Sequence, residues 1–395
     1  MKTMYSAALA AGLMTAVLMQ VPAYADGKAA DVAVKFCPVE QVRTYPLESQ
    51  RNVQSLLLQN VLVTHGGAGT IEVVGVDVEL MAGGEVKDTR RIAGGDLKAA
   101  AAAGPRVQGS GMTEMMAFQF CSGVLIPAGA KLTGPSLKTN EAMLLMQQPF
   151  AYKGARDSVR VRVQFLRDGK MVEMRASLPI NSGLSKTALR FPMTGQWFAA
   201  VGPTPHTAHR WALPEEFAFD IVRLGDGTRS FRGDGTKFED YFAYGADILA
   251  AADGKVVAVR TDVAEDPTTL RQPGEAAEVY GERVGAYQMQ LVMKDINSIA
   301  GNYVAIDHGN GEVSVYAHLK PGSVNVKVGD VVKAGQVIGL LGSSGNSTEP
   351  HLHFQVCDQA EPLKCAGVPV NFTNIELPYA DYPRPLQSGD IVVAK

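Results

Sequence analysis

The chain has 395 residues, 46% of them hydrophobic and 19% charged, with 37 Lys and Arg against 40 Asp and Glu. That composition excludes a disordered or strongly charged protein, and the length leaves room for two or three domains with cores of their own. A formal net charge of −3 supplies no basic excess, so nucleic acid is not expected as a partner.

Residues 1–25, MKTMYSAALAAGLMTAVLMQVPAYA, read as a secretory signal peptide: Lys2 is the positive start, Ala7 to Val21 the apolar stretch, and Ala23-Tyr24-Ala25 the cleavage site. The apolar stretch falls short of the roughly 20 residues that span a bilayer, so no stable membrane anchor is expected. The protein is therefore expected outside the cytoplasm, periplasmic or secreted. Disulfides persist there, and proximity favours pairing Cys37 with Cys121 and Cys357 with Cys365.

Residues 26–195 show short β-rich runs separated by turn signals. In Ser158 to Leu166 the apolar Val159, Val161, Val163 and Phe165 alternate with Arg160, Arg162 and Gln164, which predicts a strand with one wet face. Asp168-Gly169 predicts a hairpin turn. The run Ala99 to Ala103 suggests a short helix ending at Gly104-Pro105. Several such strands over this length predict an antiparallel, immunoglobulin-like β-sandwich. His65, before Gly66-Gly67, is expected as a surface turn residue.

Residues 196–385 hold six of the seven histidines, and 386–395 read as a tail. Strand-like runs include ADILAAADGKVVAV from Ala246, YQMQLVM from Tyr287, and NYVAIDHGNGEVSVYAHL from Asn302, whose Gly309-Asn310-Gly311 predicts a hairpin. Arg223 to Tyr241 and Asp262 to Gly285 read as inserted loops, and loops of about twenty residues in a compact β domain usually serve a site.

The sharpest feature is HLHFQV, His351 to Val356. On a strand, His351, His353 and Gln355 share one face while Leu352, Phe354 and Val356 enter the core. Two imidazoles side by side on a rigid strand suit metal ligation. Upstream, the same alternation puts Tyr316 and His318 of Tyr-Ala-His-Leu on one face. Asp220, in Phe217-Ala218-Phe219-Asp220, sits between apolar residues, where a carboxylate is costly unless paired or bound to a metal. His, Asp and His as three ligands leave a fourth position open, the layout of a catalytic zinc. His308, in the Asp307-His308-Gly309 turn, is expected exposed and structural.

The segments FAFDI, YGADILAAADGKVVAV and GNYVAIDHGNGEVSVYAHLKPGSVNVKVGDVVKAGQVIGLLGSSGNSTEPHLHFQV resemble the lysostaphin and LytM type of zinc metalloendopeptidases, which hydrolyse peptide cross-links of bacterial peptidoglycan. The likeness covers roughly residues 200–375. It implies an antiparallel β-sheet metallopeptidase domain, peptide stems of peptidoglycan as substrate, and one zinc per chain held by His209, Asp220 and His353. It also implies His318 and His351 as the catalytic histidines, with the choice of general base open between them. Two departures stand out. The first histidine precedes the aspartate by eleven residues where four is common, which leaves His206 as a competitor to His209. Glu349 also stands where glycine is common, at the rim of the groove.

Two other readings compete. The segments VNVKVGDVVKAGQVIGLLG and ADGKVVAV resemble biotinyl and lipoyl carrier hairpins, but the carriers' flanking residues are absent and the histidines would go unexplained. A non-enzymatic relative would activate other wall hydrolases or act as a binding module; the presence of every ligand type favours an enzyme. Nothing in the sequence chooses whether the N-terminal domain positions the enzyme, binds a regulatory protein or covers the groove.

Overall fold

The computed structural model describes residues 31–121, 125–205 and 207–395. The expected leader, residues 1–25, and His206 lie outside the described residues. The architecture is all-β, built on two large sheets. The first runs in the order Glu85–Ala93, Thr70–Ala82, Ser158–Arg167, Lys170–Asn181, Val42–Glu48, Val53–His65, Glu141–Lys153, Lys131–Leu132. A two-residue parallel pairing of Ile180 and Asn181 with Val42 and Arg43 joins its halves. Val159, Val161, Val163 and Phe165 of one half then meet Leu56, Leu58, Val61 and Val63 of the other in a single core. That pairing and a second one, Lys131–Leu132 beside Glu141–Ala142, are parallel where an antiparallel sheet was expected.

The strand Ser158–Arg167 keeps the expected alternation, and its polar face is less wet than expected. Arg160 and Arg162 reach across to Glu79 and Asp77 at 2.6 and 2.8 Å, and both carboxylates are buried. Asp168 and Gly169 both take positive φ, the geometry that a two-residue hairpin turn demands. Both expected disulfides, Cys37–Cys121 and Cys357–Cys365, are formed.

Four local expectations are corrected. The alanine run closes the helix Gly94–Ala101 and its last residue opens a further helix, Ala103–Gly109, which takes in Gly104-Pro105 because proline is tolerated in a first turn. His65 is buried at the end of Val53–His65, since the strand pairs with Val32 and Glu141 right up to that residue. Tyr287 to Met293 belongs to the helix Ala277–Lys294, within and beyond the expected loop. Its Glu, Gln, Met and Leu favour a helix, and only Val284 is buried, so no stripe betrayed the period. Ile391–Ala394, expected as tail, is a strand paired with Gly195–Phe198 and with Ile375–Glu376.

The second sheet runs Val331–Val332, Gly254–Arg260, Asn302–Asp307, Val313–Leu319, Leu352–Cys357, Phe219–Val222, Gly195–Val201, Ile391–Ala394, Ile375–Glu376. Every residue of Val313–Leu319 and Leu352–Cys357 is buried. One face of these central strands packs on a core that includes Phe219, Ile221, Tyr316, Leu352, Phe354 and Val356. No helix among the described residues is long and apolar enough to cross a membrane. Phe354 sits at that core's centre, 5.3 Å from the Tyr316 ring and 5.5 Å from that of Phe372. Phe354→Ala is expected to cost about 3–5 kcal/mol of unfolding free energy by urea titration; a loss under about 1 kcal/mol would contradict this placement.

Candidate metal centre

Asp220 and His353 meet because the register makes them neighbours: Phe219, Asp220 and Ile221 pair with Phe354, His353 and Leu352. Since Phe219, Ile221, Leu352, Phe354 and Val356 fill the core, alternation turns Asp220, His353 and Gln355 to the opposite face. This matches the reading of HLHFQV. For the neighbouring strand the alternation expected of Tyr316 and His318 fails. Tyr316 enters the core, whereas His318 takes φ +64° and swings to the cavity side beside Val315 and Ala317. A left-handed non-glycine residue costs about 1–3 kcal/mol and is held only where its surroundings impose it. His209 arrives from the turn Ala208–Trp211, which lies in the connection between Gly195–Val201 and Phe219–Val222.

All five expected site residues line one cavity of about 350 Å³. His209 Nε2 is 3.2 Å from Asp220 Oδ2, and His353 Nδ1 is 3.0 Å from Asp220 Oδ1. The three residues offer ligand atoms that all lie within 4.8 Å of one another. His318 and His351 flank them, with ring centroids 4.6 Å apart. His308 is elsewhere. It is half-buried rather than exposed, bonded to the Asp253 carbonyl and to Ser314 Oγ.

Hydrogen bonds settle which nitrogens face the cavity. Gln355 Nε2 donates to the Pro362 carbonyl at 2.9 Å, which leaves Gln355 Oε1 to accept from His353 Nε2 at 2.7 Å. A neutral His353 therefore turns its Nδ1 lone pair toward a carboxylate oxygen 3.0 Å away. In that tautomer two acceptors face each other, an arrangement that a cation between them satisfies. Ligand atoms of a tetrahedral zinc with bonds of about 2.1 Å lie roughly 3.4 Å apart, so the donor set and its spacing fit that metal. His318 Nδ1 donates to the Ser344 carbonyl and His351 Nδ1 to the Glu349 carbonyl, each at 2.8 Å, so both present Nε2 to the cavity.

Asp220 also governs the titration of the rings around it. Burial would raise Asp220, but His209 and His351 hold it well below the usual carboxylate range. Burial would lower His209, yet the Asp220 carboxylate raises it to about 9. His351 is likewise shifted upward by Asp220 against the effect of its burial. His318 moves the other way: burial, then the nearby His351 and His353, keep it neutral.

Several contributors to the site carry no motif. Gln288 of the helix Ala277–Lys294 lines the cavity, and Tyr280 of the same helix donates to the Thr348 carbonyl at 3.4 Å. Glu349 accepts from Ser230 Oγ at 2.5 Å and ties the Arg223–Tyr241 insertion to the rim. Gly301 packs so closely on Ser344 that a Cβ there would collide with the carbonyl that His318 grips. Gln355 was legible as a neighbour of the histidines, but not as the group that orients one of them.

Residues 275–365 match peptidase family M23. The match takes in His318, His351 and His353, with His209 and Asp220 upstream of it. A stretch of 82 residues, 20% of this chain, is 41% identical to the peptidoglycan DD-endopeptidase ShyA of Vibrio cholerae. Another of 78 residues is 41% identical to the DD-carboxypeptidase/endopeptidase Mpg of Neisseria meningitidis. The chain spans 19% and 16% of the length of those two relatives. Among solved structures, the catalytic domain of the M23 protein EnpA from Enterococcus faecalis aligns over 46% of this chain and 93% of its own at 19% identity, with a TM-score of 0.27. Residues 275–365 thus carry a peptidase family M23 domain.

Replacing Gln355 by Met keeps its length and removes the acceptor that holds His353 Nε2. Zinc affinity, measured by chelator competition, is expected to fall about 10–100-fold. Wild-type affinity in Gln355→Met would show that the ring needs no such partner.

Proposed function

We propose that the chain is an exported zinc metalloendopeptidase that hydrolyses peptide cross-links of bacterial peptidoglycan. Residues 1–25 are its leader, 26–195 an N-terminal β domain and 196–385 the catalytic domain, to which the strand Ile391–Ala394 adds. The observation that carries this reading is the convergence of His353 Nδ1 and His209 Nε2 on the two oxygens of Asp220, at 3.0 and 3.2 Å, in one metal-sized cluster. The names of the relatives, both endopeptidases and one of them acting on peptidoglycan, support the substrate.

His209, Asp220 and His353 would hold one zinc. Bound there, the metal supplies Lewis-acid polarisation of a scissile amide carbonyl and acidifies water at its open position. The remaining work belongs to the protein. His318, kept neutral, offers Nε2 as a proton acceptor at the cavity. His351, whose Nδ1 is held by the Glu349 carbonyl, turns Nε2 to the cavity, where in its protonated form it can donate to a developing oxyanion or to the leaving amine. One such donor typically contributes about 3 kcal/mol to the transition state. The Arg223–Tyr241 insertion and the helix Ala277–Lys294 wall the groove and select the stem that fits.

Mature protein incubated with purified sacculi should release peptide fragments whose masses identify the bond cut. Chelation should stop the release and zinc restore it. His353→Ala should lose both zinc and cleavage, while His318→Ala and His351→Ala should keep zinc and lose cleavage by about 10²–10⁴-fold. A zinc-free wild type that cleaves no sacculus would instead support a non-catalytic activator.

A further inference from the structure

The segment that delivers His209 is built against the N-terminal half of the chain. Gln59, fully buried in the strand Val53–His65, donates from Nε2 to the Arg210 carbonyl at 2.9 Å. Gln119, in the short helix Ala117–Phe120, grips the segment at two points with one amide. Its Nε2 donates to the Trp211 carbonyl and its Oε1 accepts from the Leu213 N–H, both at 2.7 Å. The Gln119 backbone is itself held: its carbonyl accepts from Asn60 Nδ2 at 2.9 Å, and two residues on, Cys121 is bonded to Cys37.

Apolar contacts run the same way. Leu213 is buried among Leu62, Phe120, Leu125 and Leu144 of the N-terminal half. Phe217 stacks on Tyr45 with centroids 6.2 Å apart, and Arg210, buried over the Phe217 ring, pairs with Glu216 at 3.0 Å. The second sheet's side adds the Gly367 N–H to the Leu213 carbonyl at 3.3 Å, a longer bond than any of the three from glutamine. Anchors at 210, 211 and 213 all fall within four residues of His209. The eleven-residue gap from His209 to Asp220 is the length of this excursion to the other half of the molecule.

We propose that the N-terminal half is a positioning element of the metal centre: Gln59 and Gln119 set the location of His209, so the affinity of the centre for its metal depends on the contact between the two halves. The inference rests on reading His209, Asp220 and His353 as ligands. Neither glutamine touches the cavity, so their effect is transmitted through the backbone of Arg210, Trp211 and Leu213.

The test uses the full mature chain. Gln59→Met and Gln119→Met keep side-chain length and remove the hydrogen bonds. Zinc affinity is read by chelator competition, the ligand geometry by the visible spectrum of the cobalt-substituted protein, and folding by thermal melting. Each variant is expected to bind zinc about 10–100-fold more weakly, with an altered cobalt spectrum. Gln387→Met, which removes a bond to the Leu47 carbonyl elsewhere between the halves, should leave both readouts at wild-type values. If Gln119→Met does not fold, Gln59→Met, which removes the bond to the Arg210 carbonyl, decides the matter. Folded variants with wild-type affinity and spectrum overturn the inference, as does an equal loss in Gln387→Met. A wild-type chain that binds no zinc overturns the metal-centre reading first, and this one with it.

Discussion

A carboxylate on a buried strand governs this structure. Asp220 lies between Phe219 and Ile221, both fully inside the core, with its side chain 19% exposed. Ionised in that position it needs positive partners or a cation close by, because desolvating a lone carboxylate costs several kcal/mol. Three imidazoles stand within 3.5 Å of its oxygens, from two separate parts of the chain. The sheet register supplies His353, the residue just before the same strand supplies His351, and a long connection supplies His209.

Much of the surrounding architecture serves to hold those rings still. His353 is turned by Gln355, whose amide is pinned by the Pro362 carbonyl beside the Cys357–Cys365 disulfide. His318 is held by the Ser344 carbonyl and by a left-handed backbone, and His351 by the Glu349 carbonyl, with Ser347 Oγ 3.2 Å away. His318, His351 and His353 each have one nitrogen committed to the scaffold and one turned to the cavity side, which is the division of labour a hydrolytic site requires. The N-terminal half enters the same scheme through Gln59 and Gln119, so the two sheets are coupled at the site and not only by a linker.

The parts of the site legible in the sequence were those with a strict period. In Leu352–Cys357 core and cavity residues alternate without interruption, so the faces of His353 and Gln355 followed from spacing alone. The same rule misplaced His318, because a single residue at positive φ reverses the alternation and nothing in Tyr-Ala-His-Leu announces it. Tyr287 to Met293 alternates like a strand but lies in a helix with one buried residue, where no apolar stripe reveals the 3.6 period. His65 was misjudged because Gly66-Gly67 marks where the strand stops, not where burial stops. The roles of Gln59 and Gln119 could not be read at all: each lies more than ninety residues from the backbone it holds, and glutamine forms no motif.

The proposed chemistry centres on one cation lying among His209, Asp220 and His353. Anomalous diffraction at the zinc edge, on crystals of the mature chain grown with zinc, locates that cation directly. The expected result is a single strong peak bounded by His209 Nε2, an Asp220 oxygen and His353 Nδ1, with His318 and His351 outside bonding distance. A peak ligated by His318 or His351 in place of His209, or none in the cavity, would contradict it.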